Sequence, residues 1–168
     1  MGNDVAHSFG PVSDGKSRIL IVGTMPSVQS RSAGFYYAHP RNRFWLVLAG
    51  SYSLQIPESV EDKTRLLIEN GIALWDVLAS CEISGSGDSS IRNPVCNDIS
   101  ALVSENPIEK VLCNGKKAYD LYRHFFNIPL PTLYEPSTSP ANAAWSAERL
   151  IAVWKSELCP EICQAEAL

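Results

Sequence analysis

The side chains that could carry chemistry are amides, hydroxyl groups and aromatic rings, and they fall in three separate parts of the chain. One part follows Gly23 and extends to residue 45, the second is Asn114, and the third is the segment 136–142. An asparagine amide both donates and accepts hydrogen bonds, so it can orient a water molecule or read the polar edge of a ligand. It takes up no proton at neutral pH, so a site built on it works by positioning.

Several other kinds of site are excluded by the sequence. It contains no Walker loop, no GxGxxG after a strand, no HExxH metal motif and no GxSxG nucleophile elbow. The histidines show no metal-ligand spacing, and an odd number of cysteines without a CxxC pair argues against a zinc ribbon or a disulfide scaffold. We therefore expect neither a metal nor an organic cofactor. The five cysteines are Cys81, Cys96, Cys113, Cys159 and Cys163.

The charges are distributed unevenly along the chain. The formal net charge is −4, yet residues 15–57 contain no Asp or Glu and carry +5, which leaves −9 for the rest. This asymmetry predicts one basic surface that suits an anionic partner, although chance clustering is the alternative. The five basic residues of this region are Lys16, Arg18, Arg31, Arg41 and Arg43.

The elements that must position these residues alternate between strands and helices. Apolar, β-branched runs predict strands, and helices follow from apolar periodicity and capping residues. This alternation predicts an α/β fold, a single three-layer domain with a central, mostly parallel four-stranded sheet flanked by helices. The predicted strands are 18–23, 72–75, 110–114 and 132–134. The predicted helices are 42–49, 59–70, 98–106, one after Gly115 and one from Pro140, with Ser139 as its N-cap.

Ligands of such sheets bind beyond the carboxyl ends of the strands, near the switch in strand order. That rule selects the same three parts of the chain that carry the candidate chemistry.

The domain limits follow from length and composition. At 168 residues the chain is close to one domain of about 150 residues, and we expect a flexible segment 1–17, a domain 18–160 and a tail 161–168. The longest apolar run, 44–49, is too short to span a bilayer, and no secretory signal is present. We expect a soluble, cytoplasmic monomer. The segment 84–90, rich in Gly and Ser, predicts a flexible loop.

Three of these segments resemble a known family. Residues 23–27 (GTMPS) and 34–45 (GFYYAHPRNRFW) resemble the first motif region of the uracil-DNA glycosylase superfamily, including its mismatch-specific branch. Residues 136–142 (PSTSPAN) resemble the second motif, the loop that presses into DNA. The similarity extends over residues 18–155 and is greatest to the hypoxanthine-DNA glycosylase branch.

The resemblance implies a monofunctional DNA glycosylase of base excision repair. Its partner would be double-stranded DNA with a damaged or mismatched base, and it would cleave the N-glycosidic bond of hypoxanthine, uracil or both without a cofactor. The alternative is a non-catalytic module of the same fold that binds nucleic acid or a nucleotide. Which base is preferred stays open, because uracil and hypoxanthine present similar amide-like edges.

The resemblance also assigns the catalytic residue. Where the mismatch-specific branch has an asparagine that positions water, this chain has Met25, whose thioether is only a weak acceptor. Similarity to the hypoxanthine branch implies that Asn42 positions the water instead. The alternative is that Asn42 only caps the helix that begins at Arg43.

A base pocket and a DNA-binding surface follow from the same resemblance. Tyr37 would stack on the extruded base, Asn114 would read its edge, and Ser137 and Ser139 would contact phosphate. Tyr36 could be core instead, Asn114 could serve only the turn, and the acid Asp76 is more typical of a helix N-terminus than of catalysis. The implied pocket comprises Gly23, Thr24, Met25, Tyr36, Tyr37 and Asn114, and the DNA-binding set comprises Arg41, Arg43, Ser137, Thr138, Ser139 and Pro140, with Ser139 or Pro140 as the wedge.

Overall fold

A computed structural model of the protein describes residues 2–84 and 90–161, so most of the loop predicted at 84–90 and all but the first residue of the predicted tail 161–168 lie outside the described residues. The strands are β1 (Asn3–Ala6), β2 (Ile19–Gly23), β3 (Ile72–Asp76), β4 (Leu78–Ile83), β5 (Ile91–Cys96), β6 (Lys110–Asn114) and β7 (Thr132–Glu135). The helices are α1 (Val28–Ala33), α2 (Phe44–Ser51), α3 (Val60–Glu69), α4 (Ile99–Glu105), α5 (Lys116–Phe125) and α6 (Ala147–Leu158).

The central sheet is parallel throughout and has the order β3-β2-β6-β7. Its strands read as continuous apolar runs because both faces are covered, and Leu20, Ile21 and Val22 of β2 are fully buried. One core cluster includes Ile21 and residues of α2, α3 and α6, and the other includes Leu20, Val22 and residues of α4 and α5. The predicted three-layer α/β domain is confirmed.

The carboxyl ends of these strands meet at one edge of the sheet. Gly23 at the end of β2 is paired in register with Asp76 of β3, and Asn114 of β6 is paired with Glu135 of β7. Strand β2 has β3 on one side and β6 on the other, so the chain reverses its direction of travel across the sheet here. Such a switch point is where a ligand-binding crevice opens in sheets of this kind.

The last helix begins later than the sequence predicted. Helix α6 starts at Ala147, and its N-cap is Ser146, whose hydroxyl accepts a hydrogen bond from the backbone N–H of Arg149. The prediction that Ser139 and Pro140 start this helix is wrong, because the Ser139 hydroxyl accepts only from the nearby N–H of Ala141 in a turn. Residues 137–146 therefore form a loop that leads into α6.

The N-terminal segment is part of the fold, which differs from the flexible segment 1–17 predicted. Strand β1 pairs antiparallel with β4, and β4 pairs antiparallel with β5, giving a second, three-stranded sheet. Farther along, Val12 forms an isolated bridge to Leu74 of β3. Because β4 begins two residues after β3 ends, this second sheet adjoins the carboxyl edge of the first. None of the helices in the described ranges is long and apolar enough to cross a membrane.

Candidate active site

A cleft of about 810 Å³ opens at the carboxyl edge of the parallel sheet, and this is large enough for a nucleobase-sized ligand. The ends of three strands contribute Gly23, Asp76 and Asn114 to its lining. Residues 24–31, residues 137–140 and four residues of the loop 36–42 supply further walls, and the second sheet contributes Asn3, Val5, Ile83 and Ile91. The three parts of the chain selected from the sequence therefore come together around one cavity.

The predicted catalytic residue, Asn42, is held firmly at the wall of this cleft. Its amide oxygen Oδ1 accepts from the backbone N–H of Phe44 at 2.9 Å and from the hydroxyl of Thr138 at 3.0 Å. Among the described residues, its amide nitrogen Nδ2 has no hydrogen-bond partner. The N-cap of α2 is Arg43, not Asn42 as the capping alternative held, but Asn42 supports the start of the helix by accepting from the N–H of its first residue, Phe44. Its amide still keeps two N–H donors for a ligand or water.

Asn114 does not present a free amide to the cleft. Its Nδ2 donates to the hydroxyl of Thr138 at 3.0 Å, and its Oδ1 accepts from the backbone N–H of Thr138 at 3.1 Å. The nitrogen and the oxygen of the amide are both hydrogen-bonded within the protein. This geometry therefore does not favour the predicted contact of Asn114 with a base edge. The three side chains form one chain of hydrogen bonds in which Asn114 orients Thr138 and Thr138 orients Asn42.

Thr138 is fully buried, which corrects its assignment to the DNA-binding surface. A side chain without exposed area makes no contact with a phosphate backbone. This burial could not be predicted from the sequence. Thr138 lies among small polar residues of types that are usually exposed, and its burial depends on contacts with Asn114 and Asn42, which are distant in the chain.

Tyr37 faces the cleft in a strained backbone conformation. Its φ angle is 52°, in the left-handed region that aromatic side chains rarely adopt and that costs about 1–3 kcal/mol. Its ring is stacked on Phe44, with centroids 4.0 Å apart. The Asn114 amide lies near its buried hydroxyl and favours the ionised form, but the hydroxyl proton has no acceptor among the described residues. Burial raises the pKa of this hydroxyl, so it remains a donor. A buried donor without a partner is costly unless a ligand satisfies it.

Tyr36 is mainly a core residue, although the cleft wall includes it. Its side chain is 2 % exposed, its hydroxyl donates to the carbonyl of Gly10 at 2.7 Å, and Phe9 packs edge-on against its ring. The core alternative for Tyr36 is therefore the one that fits. Phe44 and Trp45 are buried as well.

The early motif shapes the bottom of the cleft. A Cβ atom on Gly23 would lie 2.4 Å from Oδ1 of Asp76 and 2.8 Å from Oη of Tyr37, so any larger residue at this position would displace these two polar groups. Thr24 follows it, and the Thr24 carbonyl accepts from the N–H of Leu78, which ties this loop to β4. Met25 lines the cleft and packs partly against the core on the α4–α5 side.

Two further functional candidates are Asp76, which the sequence favoured as a helix N-terminal acid, and His7, which was not predicted. Nε2 of His7 and Oδ2 of Asp76 lie 2.8 Å apart, and the two side chains are only 3 % and 5 % exposed. Burial raises the pKa of the Asp76 carboxyl, and the hydrogen bond with His7 partly opposes this. Asp76 is not a helix N-terminal acid, because strand β4 follows it. The signal for Asp76 in the sequence was an acidic residue directly at the end of a buried strand.

The predicted DNA-binding arginines differ in their surroundings. The guanidinium of Arg43 donates to the carbonyls of Trp145, Ser139 and Asn142, the last two at 3.0 and 2.9 Å. Arg43 therefore holds the loop 137–146 in place, which corrects its assignment as a phosphate contact. Arg41 is exposed at the rim, as a phosphate contact requires.

The single basic surface predicted from residues 15–57 does not exist. Lys16 and Arg18 precede β2 and so lie at the opposite edge of the sheet from the cleft, where Arg18 pairs with Glu109 at 2.7 Å. Arg31 lines the cleft, and Arg41 adjoins it. The positive charge near the cleft is therefore smaller than the sequence indicated.

The remaining residues of the second motif lie at the rim. Ser137 and Ser139 are half-buried, and the Ser137 hydroxyl accepts from the N–H of Ser139 at 3.2 Å. Pro140 is half-buried beside them. The N-terminus of α6 is not part of this group, since the helix starts at Ala147. Within the described ranges, no three His, Cys, Asp or Glu side chains come together as a metal-binding cluster.

Comparison with known proteins places this cleft in context. Residues 9–158 match the family model of the uracil DNA glycosylase superfamily. A hypoxanthine DNA glycosylase from Methanosarcina acetivorans is 33 % identical over 147 residues, which cover 86 % of this chain and 93 % of that protein. A hypoxanthine DNA glycosylase from Methanosarcina barkeri is 38 % identical over 113 residues, covering 66 % of this chain and 71 % of the relative.

A solved structure shows the same architecture. The solution NMR structure of a protein from Methanosarcina acetivorans, described as a candidate uracil DNA glycosylase, superposes with a TM-score of 0.76 at 32 % identity. The alignment covers 89 % of this chain and 94 % of that one. The family match begins at residue 9, so it includes part of the N-terminal segment that the sequence placed outside the domain.

Proposed function

Because this chain belongs to the uracil DNA glycosylase superfamily, we propose that it is a monofunctional DNA glycosylase that hydrolyses the N-glycosidic bond of hypoxanthine, uracil or both in DNA. Its similarity to two proteins named hypoxanthine DNA glycosylase supports this base class. The observation that carries the proposal is the amide of Asn42, a residue that lines the cleft: two donors anchor its oxygen, and its nitrogen has no hydrogen-bond partner among the described residues.

The reaction requires a water molecule beneath C1′ of the sugar. As the C1′–N bond breaks, its electron pair leaves with the base and the sugar becomes oxocarbenium-like. The water oxygen then bonds to C1′, and the proton it loses passes to the departing base or to solvent. Asn42 supplies position and not basicity, because an amide holds a water by hydrogen bonds without taking its proton. Orientation of this kind can supply a large part of a catalytic effect.

The base would enter the cleft after rotation out of the duplex. One face of the Tyr37 ring is covered by Phe44, and Tyr37 also lines the cleft, so we propose that the flipped base stacks on its other face. Base-aromatic stacking is worth about 1–3 kcal/mol. Arg31 and Arg41 are the cations best placed at the cleft for the DNA backbone.

The residues around the cleft favour a monofunctional enzyme. A glycosylase that also cleaves the strand forms a Schiff base through an amine, most often that of lysine. Among the described residues that line the cleft there is no lysine. We therefore propose that the product is an intact strand with an abasic site. The double-stranded substrate, the monomeric state and the cytoplasmic location expected from the sequence stay predictions.

The test uses duplexes with one deoxyuridine, deoxyinosine or deoxyxanthosine under single-turnover conditions. We expect release of uracil or hypoxanthine, and strand cleavage only after alkali treatment of the abasic site. An Asn42→Ala preparation purified in parallel reveals any contaminating glycosylase. Lesion binding without release of any base would instead indicate a non-catalytic binding module.

A further inference from the structure

We infer that His7 is a positioning residue that holds the Asp76 carboxylate at the bottom of the cleft, where Asp76 accepts a hydrogen bond from the ring N–H of the extruded base. This inference rests on the proposed glycosylase function and names the groups that select its substrate. It gives the N-terminal segment a part in the active site.

The geometry of the pair leaves one carboxylate oxygen for the base. Oδ2 of Asp76 is bound by Nε2 of His7 at 2.8 Å, while Oδ1 lies beside Gly23, and both residues line the cleft. No protein hydrogen bond to Oδ1 is present among the described residues. The carboxylate is only 5 % exposed, so a donor from a ligand in the cleft would stabilise this oxygen.

Tyr37 places a complementary donor next to this acceptor. Oδ1 of Asp76 and Oη of Tyr37 lie 2.4 Å and 2.8 Å from the same point, the position that a Cβ of Gly23 would occupy. The Tyr37 hydroxyl proton also lacks an acceptor among the described residues. An acceptor beside a donor complements a lactam edge, in which a ring N–H adjoins a carbonyl. Because Gly23 has no side chain, Oδ1 of Asp76 and Oη of Tyr37 can both approach its Cα, which keeps this acceptor and this donor close together.

This pair of groups distinguishes deaminated bases from their parents. Hypoxanthine and uracil carry a ring N–H next to a carbonyl, whereas adenine and cytosine have a bare ring nitrogen there, next to an amino group. A carboxylate repels that nitrogen lone pair, and a hydroxyl donor finds no carbonyl. Leaving buried polar groups unpaired is a strong basis for rejecting a substrate, often by about 10⁴-fold or more.

His7 is well fixed for this task. The backbone N–H of His7 donates to the carbonyl of Ala79, which anchors the residue beside β4 directly after β1. Its ring is packed edge-on against Phe9 at 4.6 Å and lies 5.9 Å from Tyr36. With its proton on Nε2, the ring donates to Asp76 and restrains the carboxylate. The titratable groups that face Asp76 among the described residues are His7, Tyr36 and Tyr37.

Loss of the histidine has a specific consequence for pH dependence. The hydrogen bond from His7 favours the charged form of Asp76, while burial raises the pKa of this carboxyl. Excision should therefore be lost as the pH falls and the carboxylate takes up a proton. Without His7 the pKa of Asp76 rises further, and activity should be lost at a higher pH. If His7 had a purely structural role, its loss would lower the folded fraction and leave the pH at which activity is lost unchanged.

The experiment compares wild type, His7→Ala and His7→Gln in single-turnover excision of hypoxanthine from pH 5 to 9, with thermal melts showing that each variant is folded. We expect His7→Ala to excise hypoxanthine about tenfold or more slowly than wild type at pH 7. The acidic limb of its pH–rate profile, where activity is lost as pH falls, should shift upward by about one pH unit. His7→Gln retains an N–H donor and should recover most of the rate. The exposed residue His124 supplies the control His124→Gln, which should match wild type.

Two further results decide the matter. Asp76→Asn should remove the acidic limb of the pH–rate profile. It should also reduce the ratio of the affinity for a deoxyinosine duplex to the affinity for a deoxyadenosine duplex. If folded His7→Ala or Asp76→Asn keeps the wild-type pH profile and base preference, the inference is wrong while the glycosylase function stands. If wild type releases no base at any pH, the proposed function fails, and this inference with it.

Discussion

The Asn42 amide can be tested by separating its two hydrogen-bonding ends. Replacement by Ala removes the oxygen that accepts from Phe44 and Thr138 as well as the nitrogen that has no partner among the described residues. Replacement by Ser keeps a short side-chain oxygen that can accept from the N–H two residues later, but it offers no amide donor to the cleft. The Ser variant therefore preserves the local turn and removes the proposed catalytic group.

The two variants should differ in stability and agree in activity. Loss of the hydrogen bonds from Phe44 and Thr138 costs about 0.5–1.5 kcal/mol each, so Asn42→Ala should lower the free energy of unfolding by about 1–3 kcal/mol. Asn42→Ser should lose less, since the turn survives. Both should slow excision by about 10²-fold or more, equivalent to about 2.7 kcal/mol of activation free energy.

The measurements are urea unfolding and single-turnover excision from a deoxyinosine duplex, with enzyme in excess over the substrate and above the dissociation constant. These conditions separate the chemical step from DNA binding, which should change little because the main partner of the amide is water. If folded Asn42→Ser excises at the wild-type rate, the free nitrogen is not the catalytic group. Asn42 then only stabilises the start of α2.

Three other changes test neighbouring parts of the structure. Thr138→Val removes the hydroxyl that orients Asn42, and single-turnover excision should fall about tenfold, about 1.4 kcal/mol; an unchanged rate would show that the amide needs no second anchor. Arg41→Ala should weaken binding to any duplex and reduce the slope of log K against log salt by about 0.9, whereas Arg123→Ala, on α5, should leave it unchanged. Burial, and to a lesser extent the charge of Glu157, raises the pKa of Glu135 to about 7. Between about pH 4.3 and about pH 7 the folded state therefore retains a proton that the unfolded state releases, and stability falls as the pH rises through this window. Glu135→Gln should therefore raise Tm at pH 8 and not at pH 4; an equal effect at both would contradict the shift.

The sequence was informative where local patterns decide the structure. The apolar run of β2 ends at Gly23 and the run of β6 ends at Asn114, and both predicted strands are present with nearly the predicted bounds. The rule that ligands bind at the carboxyl edge then located the cleft. The motif around Asn42 also lies on that cleft. These predictions depend on periodicity and chain order, which a single sequence contains.

Partners from distant parts of the chain could not be predicted in this way. Arg43 resembles a phosphate contact until the carbonyls of the loop 137–146 are found to surround its guanidinium. The helix start predicted at Ser139 had a Ser-Pro signal, but Ser146 has a complete capping hydrogen bond and prevails. His7 lies in a segment without apolar periodicity, and only its pairing beside β4 reveals the contact with Asp76.

Support of the start of α2 and catalysis are not competing explanations for Asn42. An amide that is free at both ends can rotate, and it then holds a water in several positions. Here the N–H of Phe44 and the hydroxyl of Thr138 bind the same oxygen, which restrains the amide of a residue that lines the cleft. Restraint of this kind is the preorganisation that a positioning mechanism needs. The resemblance implies that Asn42 positions the water that an asparagine at the place of Met25 positions in the mismatch-specific branch, and we propose that this anchoring is what suits Asn42 to that role.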